Sequence, residues 1–128
     1  MELSVRPEHL AVCRLPIDAP WPSPPADGSF FSVTGTGFEL SVVCRVDAAP
    51  PDARIEAGWR ALTVAGPLDF SAVGVIASLT ARMAEAGVGV FVLSTYDTDH
   101  ILVKDGDLGR AVDALDAAGY SVVPHPPA

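Results

Sequence analysis

A chain of 128 residues is the size of one ordinary domain, or of two very small ones sharing a core. Nearly half of it is apolar (49%) and only 19% is charged, which excludes a disordered segment. The net charge is −8, and the eight basic residues are scattered with no two adjacent, which argues against nucleic acid and anionic membrane surfaces as partners.

Met1–Pro7 reads as a lead-in with a short edge strand at Leu3-Ser4-Val5. It lacks a basic segment followed by an apolar one, and nowhere do about 18 apolar residues run together. A cytoplasmic, unexported protein is expected. His9 to Leu15 reads as a strand ended by Pro16. Pro16, Pro20, Pro22, Pro24 and Pro25 then forbid a long helix, because each internal proline removes a donor and crowds the preceding turn. Phe30 to Thr34 and Phe38 to Arg45 are strands, joined by a Gly35-Thr36-Gly37 hairpin turn. Asp47 to Arg54 holds Pro50-Pro51 and is a loop or a single helical turn. Cys13 and Cys44 sit in apolar strand-like runs without metal-ligand spacing, so reduced buried thiols are expected, with a disulfide as the alternative.

Ile55-Glu56-Ala57 leads into a β-rich run from Trp59 to Ala65, stopped by Gly66-Pro67. Ala72, Val75, Ile76, Leu79, Met83 and Ala86 recur at helical spacing, and Gly87 supplies the C-terminal stop. Val88 to Leu93 is an unbroken apolar strand, Ser94 to Asp99 a polar turn, and Ile101-Leu102-Val103 the returning strand. Asp105 is the expected N-cap of a second helix whose stripe is Leu108, Ala111, Val112, Leu115 and Ala118, closed by Gly119. Tyr120 to Val123 is the last strand, and Pro124-His125-Pro126-Pro127 a frayed end.

The fold class is therefore α+β. The second half has the order βαββαβ, the ferredoxin-like sandwich with both helices on one face of a four-stranded sheet. The expected partition is residues 1–58, a β-rich and helix-poor half, and residues 59–128, the βαββαβ unit. The first half repeats the strand order of the second with its helices stripped out. Ser32, Thr36 and Leu40 align with Ser94, Thr98 and Leu102 at one constant offset, which points to a degenerate internal duplication.

Two stretches carry candidate chemistry. The loop Gly66 to Val73 opens the first helix, whose N-terminal N–H groups and partial positive charge suit a carboxylate. Asp69 either caps that helix or accepts from a ligand ammonium. Ser94 to Asp99 is rich in hydroxyls and carboxylates at the end of a buried strand, or simply builds a turn. A free amino acid needs both sets, donors for its carboxylate and acceptors for its ammonium, within a few ångströms.

Trp59 to Ser71, Gly74 to Leu79, Ala84 to Val88 and Leu93 to Lys104 resemble the ACT domain, and more narrowly its CASTOR-type subgroup, related to the regulatory domains of aspartokinase. Ala11 to Leu15 and Phe30 to Thr34 resemble the N-terminal half of small bacterial members, so the likeness covers nearly the whole chain. The resemblance implies a non-enzymatic regulatory fold that binds a free amino acid and pairs side by side into eight-stranded sheets as a homodimer, the first half being an ACT-like repeat. It implies that the two stretches meet across an ACT–ACT interface. The ligand-binding residues are then Asp69, Phe70, Ser71, Ala72, Val73, Ser94, Thr95, Tyr96, Asp97, Thr98 and Asp99.

The alternative is a ligand-free pairing module that docks a protein partner through Val88–Leu93 and the sheet face. No cofactor or metal is expected. Asp97-Thr98-Asp99 has no nucleotide-binding unit beside it, and Asp105-Gly106-Asp107 lacks calcium-loop spacing. HExxH, GxSxG and the P-loop are absent. His9, His100 and His125 look isolated, His100 as a half-exposed strand residue. Trp21 packs on the sheet or marks a contact surface.

Overall fold

The computed structural model describes residues 1–125. In chain order it contains β1 (Glu2–Val5), β2 (Leu10–Leu15), β3 (Ser32–Gly35), β4 (Leu40–Arg45), β5 (Arg54–Val64), α1 (Val75–Glu85), β6 (Phe91–Ser94), β7 (Asp99–Lys104), α2 (Leu108–Ala117) and β8 (Ser121–Pro124). Two compact units result. One is Glu8–Trp59; the other joins Met1–Pro7 to the chain from Arg60 onward.

The larger unit is mixed α+β with the ACT-like element order βαββαβ, from the end of β5 through α1, β6, β7 and α2 to β8. Its core joins Leu3, Leu62, Val64, Ile101 and Val103 of the sheet to Leu79 and Met83 of α1 and Ala111 and Leu115 of α2. Burying these apolar side chains between helices and sheet is what holds the layers together.

One feature departs from the four-stranded expectation. β1, expected as an edge strand, lies between β5 and β8: Leu3 pairs with Val64 on one side and with Val122 on the other. β1 is antiparallel to β5 and parallel to β8. So β8 keeps the direction relative to β5 that the ferredoxin-like order requires, one strand further out. Both edges of β1 are hydrogen-bonded and Leu3 is fully buried, which is why residues 1–7 belong with this unit rather than with the first half. The expected fray is also absent as far as the chain is described. Pro124 ends β8, and the His125 N–H donates to the Val5 carbonyl at 3.0 Å. Pro126 and Pro127 lie outside the described residues.

The helix ends differ from the sequence reading in instructive ways. α1 starts only at Val75, and its N-cap is Gly74 at φ 82°, so Asp69 does not cap it. Its C-terminus closes as expected at Gly87 (φ 71°), with Gly87 N–H on the Ala84 carbonyl and Val88 N–H on the Met83 carbonyl. Val88 is thereby drawn into the core, and the strand expected over Val88–Leu93 is confined to Phe91–Ser94. α2 is preceded by a 3-10 turn at Asp105–Asp107, which moves its N-cap from Asp105 to Asp107.

In the smaller unit the strand order is β3-β4-β2-β5. Its core is Ala11, Cys13, Leu15, Leu40, Val42 and Cys44, and both cysteines are buried free thiols. Leu10 pairs with Trp59 and Ala11 with Ala57, leaving Gly58 as the extra residue of a β-bulge at φ 87°. The proline tract forms no helix. Trp21, though 61% exposed, lies over Gly35, where a Cβ would come within 2.9 Å of its ring. The β3–β4 turn does not use glycine chemistry, since neither Gly35 nor Gly37 has a positive φ. The Thr36 hydroxyl closes it instead, accepting from the N–H groups of Phe38 and Glu39.

The β3–β4 and β6–β7 hairpins share one design, but not at the expected offset. Ser94 pairs with Asp99 whereas Ser32 pairs with Val43, so those two serines are not equivalent. The equivalents are Gly35 opposite Leu40 and Ser94 opposite Asp99. Each is followed by a four-residue turn that begins with threonine and closes by the same bond, Thr36 N–H to Glu39 carbonyl and Thr95 N–H to Thr98 carbonyl.

Candidate functional site

β5 ends at Val64, and the chain then turns through Ala65, Gly66 and Pro67 into the loop that precedes α1. β7 pairs with β5, which brings the β6–β7 turn against that loop. Three observations fix the contact. The Leu68 N–H donates to the Asp97 carbonyl at 2.6 Å, and the Thr98 hydroxyl donates to the Val64 carbonyl at 2.6 Å. At Gly66 an added Cβ would stand 2.9 Å from the Asp97 carbonyl oxygen. The close approach requires glycine there.

Between the two walls lies an open cavity of about 360 Å³. Of the predicted site residues, Asp69, Phe70, Ala72, Ser94, Thr95, Tyr96, Asp97, Thr98 and Asp99 line it, and Ser71 and Val73 do not. Val73 points to solvent, 94% exposed. Leu68 and the start of α1, Gly74 to Ala77, line it as well. The two stretches, expected to meet across an interface of two units, thus share one cavity within a single chain. The reason is the β5–β7 pairing, which the sequence does not display.

Each wall has its own chemistry. The Asp69 carboxylate accepts from the Ser71 N–H at 3.0 Å and from its hydroxyl at 2.9 Å. These bonds, the backbone one foremost, hold its pKa below the usual carboxylate value. Behind it the N-cap glycine offers no side-chain acceptor. The first-turn N–H groups of α1, which have no partner inside the helix, therefore stand at the cavity wall. On the opposite wall the Ser94 hydroxyl donates to Asp99 Oδ1 at 2.5 Å, and the Thr95 hydroxyl donates to the Thr98 carbonyl at 3.0 Å. At the rim the Phe70 and Tyr96 rings meet edge to face, centroids 4.7 Å apart, and both are largely exposed.

His100, expected to be isolated and half-exposed, is buried. Its Nδ1 lies 2.9 Å from the Thr63 hydroxyl and its Nε2 3.3 Å from the Thr95 hydroxyl, which places it directly behind the cavity wall. Desolvation above all, and then the Arg6 charge, lower its pKa. His125 is not isolated either, with Nδ1 2.6 Å from the Ser4 hydroxyl and Nε2 3.3 Å from the Arg6 guanidinium. Among the described residues no group of three His, Cys, Asp or Glu side chains could hold a metal ion, and no helix is long and apolar enough to cross a membrane.

A βαββαβ unit with a loop-lined cavity beside its first helix is the architecture of the ACT class. The ACT-domain family model matches residues 54–117, half of the chain, and the chain belongs to that family. A second family model, describing an N-terminal domain, matches residues 8–52.

Within the ACT-domain family the chain is similar to CASTOR-type proteins and shares its fold with aspartokinase regulatory domains. It is 27% identical to the cytosolic arginine sensor for mTORC1 subunit 1 of Pongo abelii, over 80% of this chain and 34% of that protein. The human protein of that name is 31% identical over 44% of this chain. The chain spans about a third or less of the length of these curated relatives. Among solved structures, a protein from Agrobacterium tumefaciens superposes with a TM-score of 0.87 at 35% identity, covering 98% of this chain and 94% of that one. The regulatory subunit of aspartate kinase from Thermus thermophilus, in a ligand-free form, shares the fold with a TM-score of 0.64 at 12% identity, covering 91% and 95%.

Proposed function

We propose that this chain is a non-enzymatic sensor that binds a free amino acid in the cavity between the Gly66–Ala77 and Ser94–Asp99 segments. The observation that carries the reading is the facing of two complementary sets across one small volume. Uncapped helix N–H groups on one wall suit the ligand carboxylate. The Asp97 and Asp99 carboxylates and their neighbouring hydroxyls on the other suit its ammonium. The names of the relatives, an arginine sensor and a regulatory subunit of aspartate kinase, agree with it.

In this reading the protein is a cytoplasmic homodimer. Phe70, Val73 and Tyr96 are exposed at or beside the open side of the cavity, where a second ACT unit would close it. Ligand occupancy then shifts association, because a ligand moves an equilibrium only by its different affinity for the two states.

The test is thermal unfolding of the purified protein against each of the twenty amino acids at millimolar concentration. A ligand at a hundredfold excess over its Kd stabilises by about 2.7 kcal/mol, a shift of several degrees in a domain of this size. One or a few amino acids should raise Tm, Asp97→Ala should abolish the shift, and sedimentation should show the association state changing with the same amino acids. Absence of any shift across the set overturns the reading.

A further inference from the structure

The bonding around His100 suits a neutral imidazole. The Thr95 hydroxyl spends its proton on the Thr98 carbonyl, so its oxygen is left to accept. A neutral ring that donates from Nε2–H to this oxygen at 3.3 Å accepts at Nδ1 from the Thr63 hydroxyl at 2.9 Å. This is the neutral Nε2–H tautomer. A second proton at Nδ1 would donate to the Thr63 oxygen, so the Thr63 hydroxyl, itself only 8% exposed, would have to turn its own proton to another acceptor.

The charged and titratable groups acting on the imidazole include Asp99 on its own strand, Arg6 just after β1 and His125 just after β8. A positive charge on His100 would also stand near Asp99, a member of the acceptor wall.

We propose that His100 is a positioning residue of the amino-acid site: its Nε2–H braces the Thr95–Asp99 turn that accepts a ligand ammonium, and the charge it gains on protonation, beside Asp99, lowers the affinity for that ammonium. The proposal rests on reading the cavity as an amino-acid site. Burial and the nearby Arg6 guanidinium keep the imidazole neutral to lower pH than usual. Coupling between two binding events is reciprocal, so a bound ammonium also makes His100 harder to protonate.

Two measurements on the full chain test this. In the first, ligand-free protein is titrated by NMR downward from about pH 8 until the His100 ring has passed its midpoint, following that ring and the amides of Thr95 to Asp99. The turn amides should move with the midpoint of the His100 ring, and should lose that transition in His100→Gln, which keeps a donor toward Thr95. A turn that ignores the imidazole overturns the proposal. In the second, L-arginine binding is measured by calorimetry at about pH 7.5 and at a pH about one unit below the His100 ring midpoint found in the first. The wild type should bind about fivefold or more weakly at the lower pH, and His100→Gln should bind with nearly equal Kd at both. Equal wild-type affinities also overturn it. Absence of L-arginine binding at either pH counts against the amino-acid reading for this probe, while the titration still decides whether His100 positions the turn.

Discussion

The N–H of Leu68 donates to the carbonyl of Asp97 across 2.6 Å, and that bond joins the two walls of the cavity by their backbones. The Thr98 hydroxyl adds a second tie, to the last residue of β5, at Val64. The side chains that line the cavity are therefore carried on loops whose separation is set by main-chain contacts. Loops tied in this way hold the two walls at a set separation, which is what a site needs when it must present donors and acceptors at fixed spacing.

Gly66 is the position that tests the clamp. A Cβ there meets the Asp97 carbonyl oxygen at 2.9 Å and the Thr98 Cβ at 3.1 Å, and backbone cannot yield as a flexible side-chain tip can. Gly66→Ala should cost roughly 1–3 kcal/mol in urea unfolding, the usual penalty of overpacking. Its amide shift changes should concentrate in the segments around Leu68 and Ser94 to Asp99. Unchanged stability would mean the loops part freely.

Thr98→Val removes the second tie while keeping the shape of the side chain. The Val64 carbonyl then loses its hydroxyl donor, with a penalty of about 1–3 kcal/mol if it stays unsatisfied. Unfolding in urea measures this. The m-value should stay constant, since the surface exposed on unfolding does not change.

Much of the unit was legible because its elements are local. The helical stripe of α1 ran through Leu79 and Met83, which are fully buried, and the stops at Gly87 and Gly119 take the positive φ that a C-cap needs. What the sequence hid were non-local pairings. Leu3-Ser4-Val5 is too short to show alternation. Nothing near it reveals that β8, from the far end of the chain, lies along its open edge. In the β3–β4 turn the flanking glycines suggest a glycine hairpin, while the bonds that close it come from the Thr36 hydroxyl. Gly58 was invisible as a bulge because a bulge is defined by the partner strand.

The same distinction runs through the site. Both loops were readable as chemistry, since hydroxyls and carboxylates cluster in Ser94 to Asp99. Their meeting within one chain was not, since it depends on β7 lying beside β5. His100 was missed for a like reason. Its partners Thr63 and Thr95 come from other strands and turns, and a single polar residue at the start of an apolar run looks half-exposed.

Acid stability follows from the burial of His100. Its pKa is lowered in the folded state, so in the window between that value and the ordinary value near 6.5 the unfolded chain holds a proton that the folded chain refuses. Stability therefore declines as pH falls below the ordinary imidazole value, and this contribution levels off once the folded site also protonates. Urea midpoints measured downward from neutral pH should fall through this window for the wild type. His100→Gln should show a shallower fall there; an equal slope would assign the acid sensitivity to other groups.

The two cysteines offer a check on the smaller unit that does not depend on any ligand. Cys13 and Cys44 are each 2% exposed and stand on the paired strands β2 and β4. Burial, the largest cause at both, raises Cys13 and pushes Cys44 up to about 11. Only the thiolate attacks alkylating reagents, so native protein near pH 8 is shielded twice, by access and by its small thiolate fraction. Iodoacetamide should leave both thiols essentially unmodified in the native state and modify both promptly in denaturant. Labelling under native conditions should track opening of the β2–β4 pair, so it should accelerate with a substitution in that core, such as Val42→Ala, and remain unaffected by Gly66→Ala. Prompt native labelling would show that the β2–β4 core opens far more readily than its packing implies.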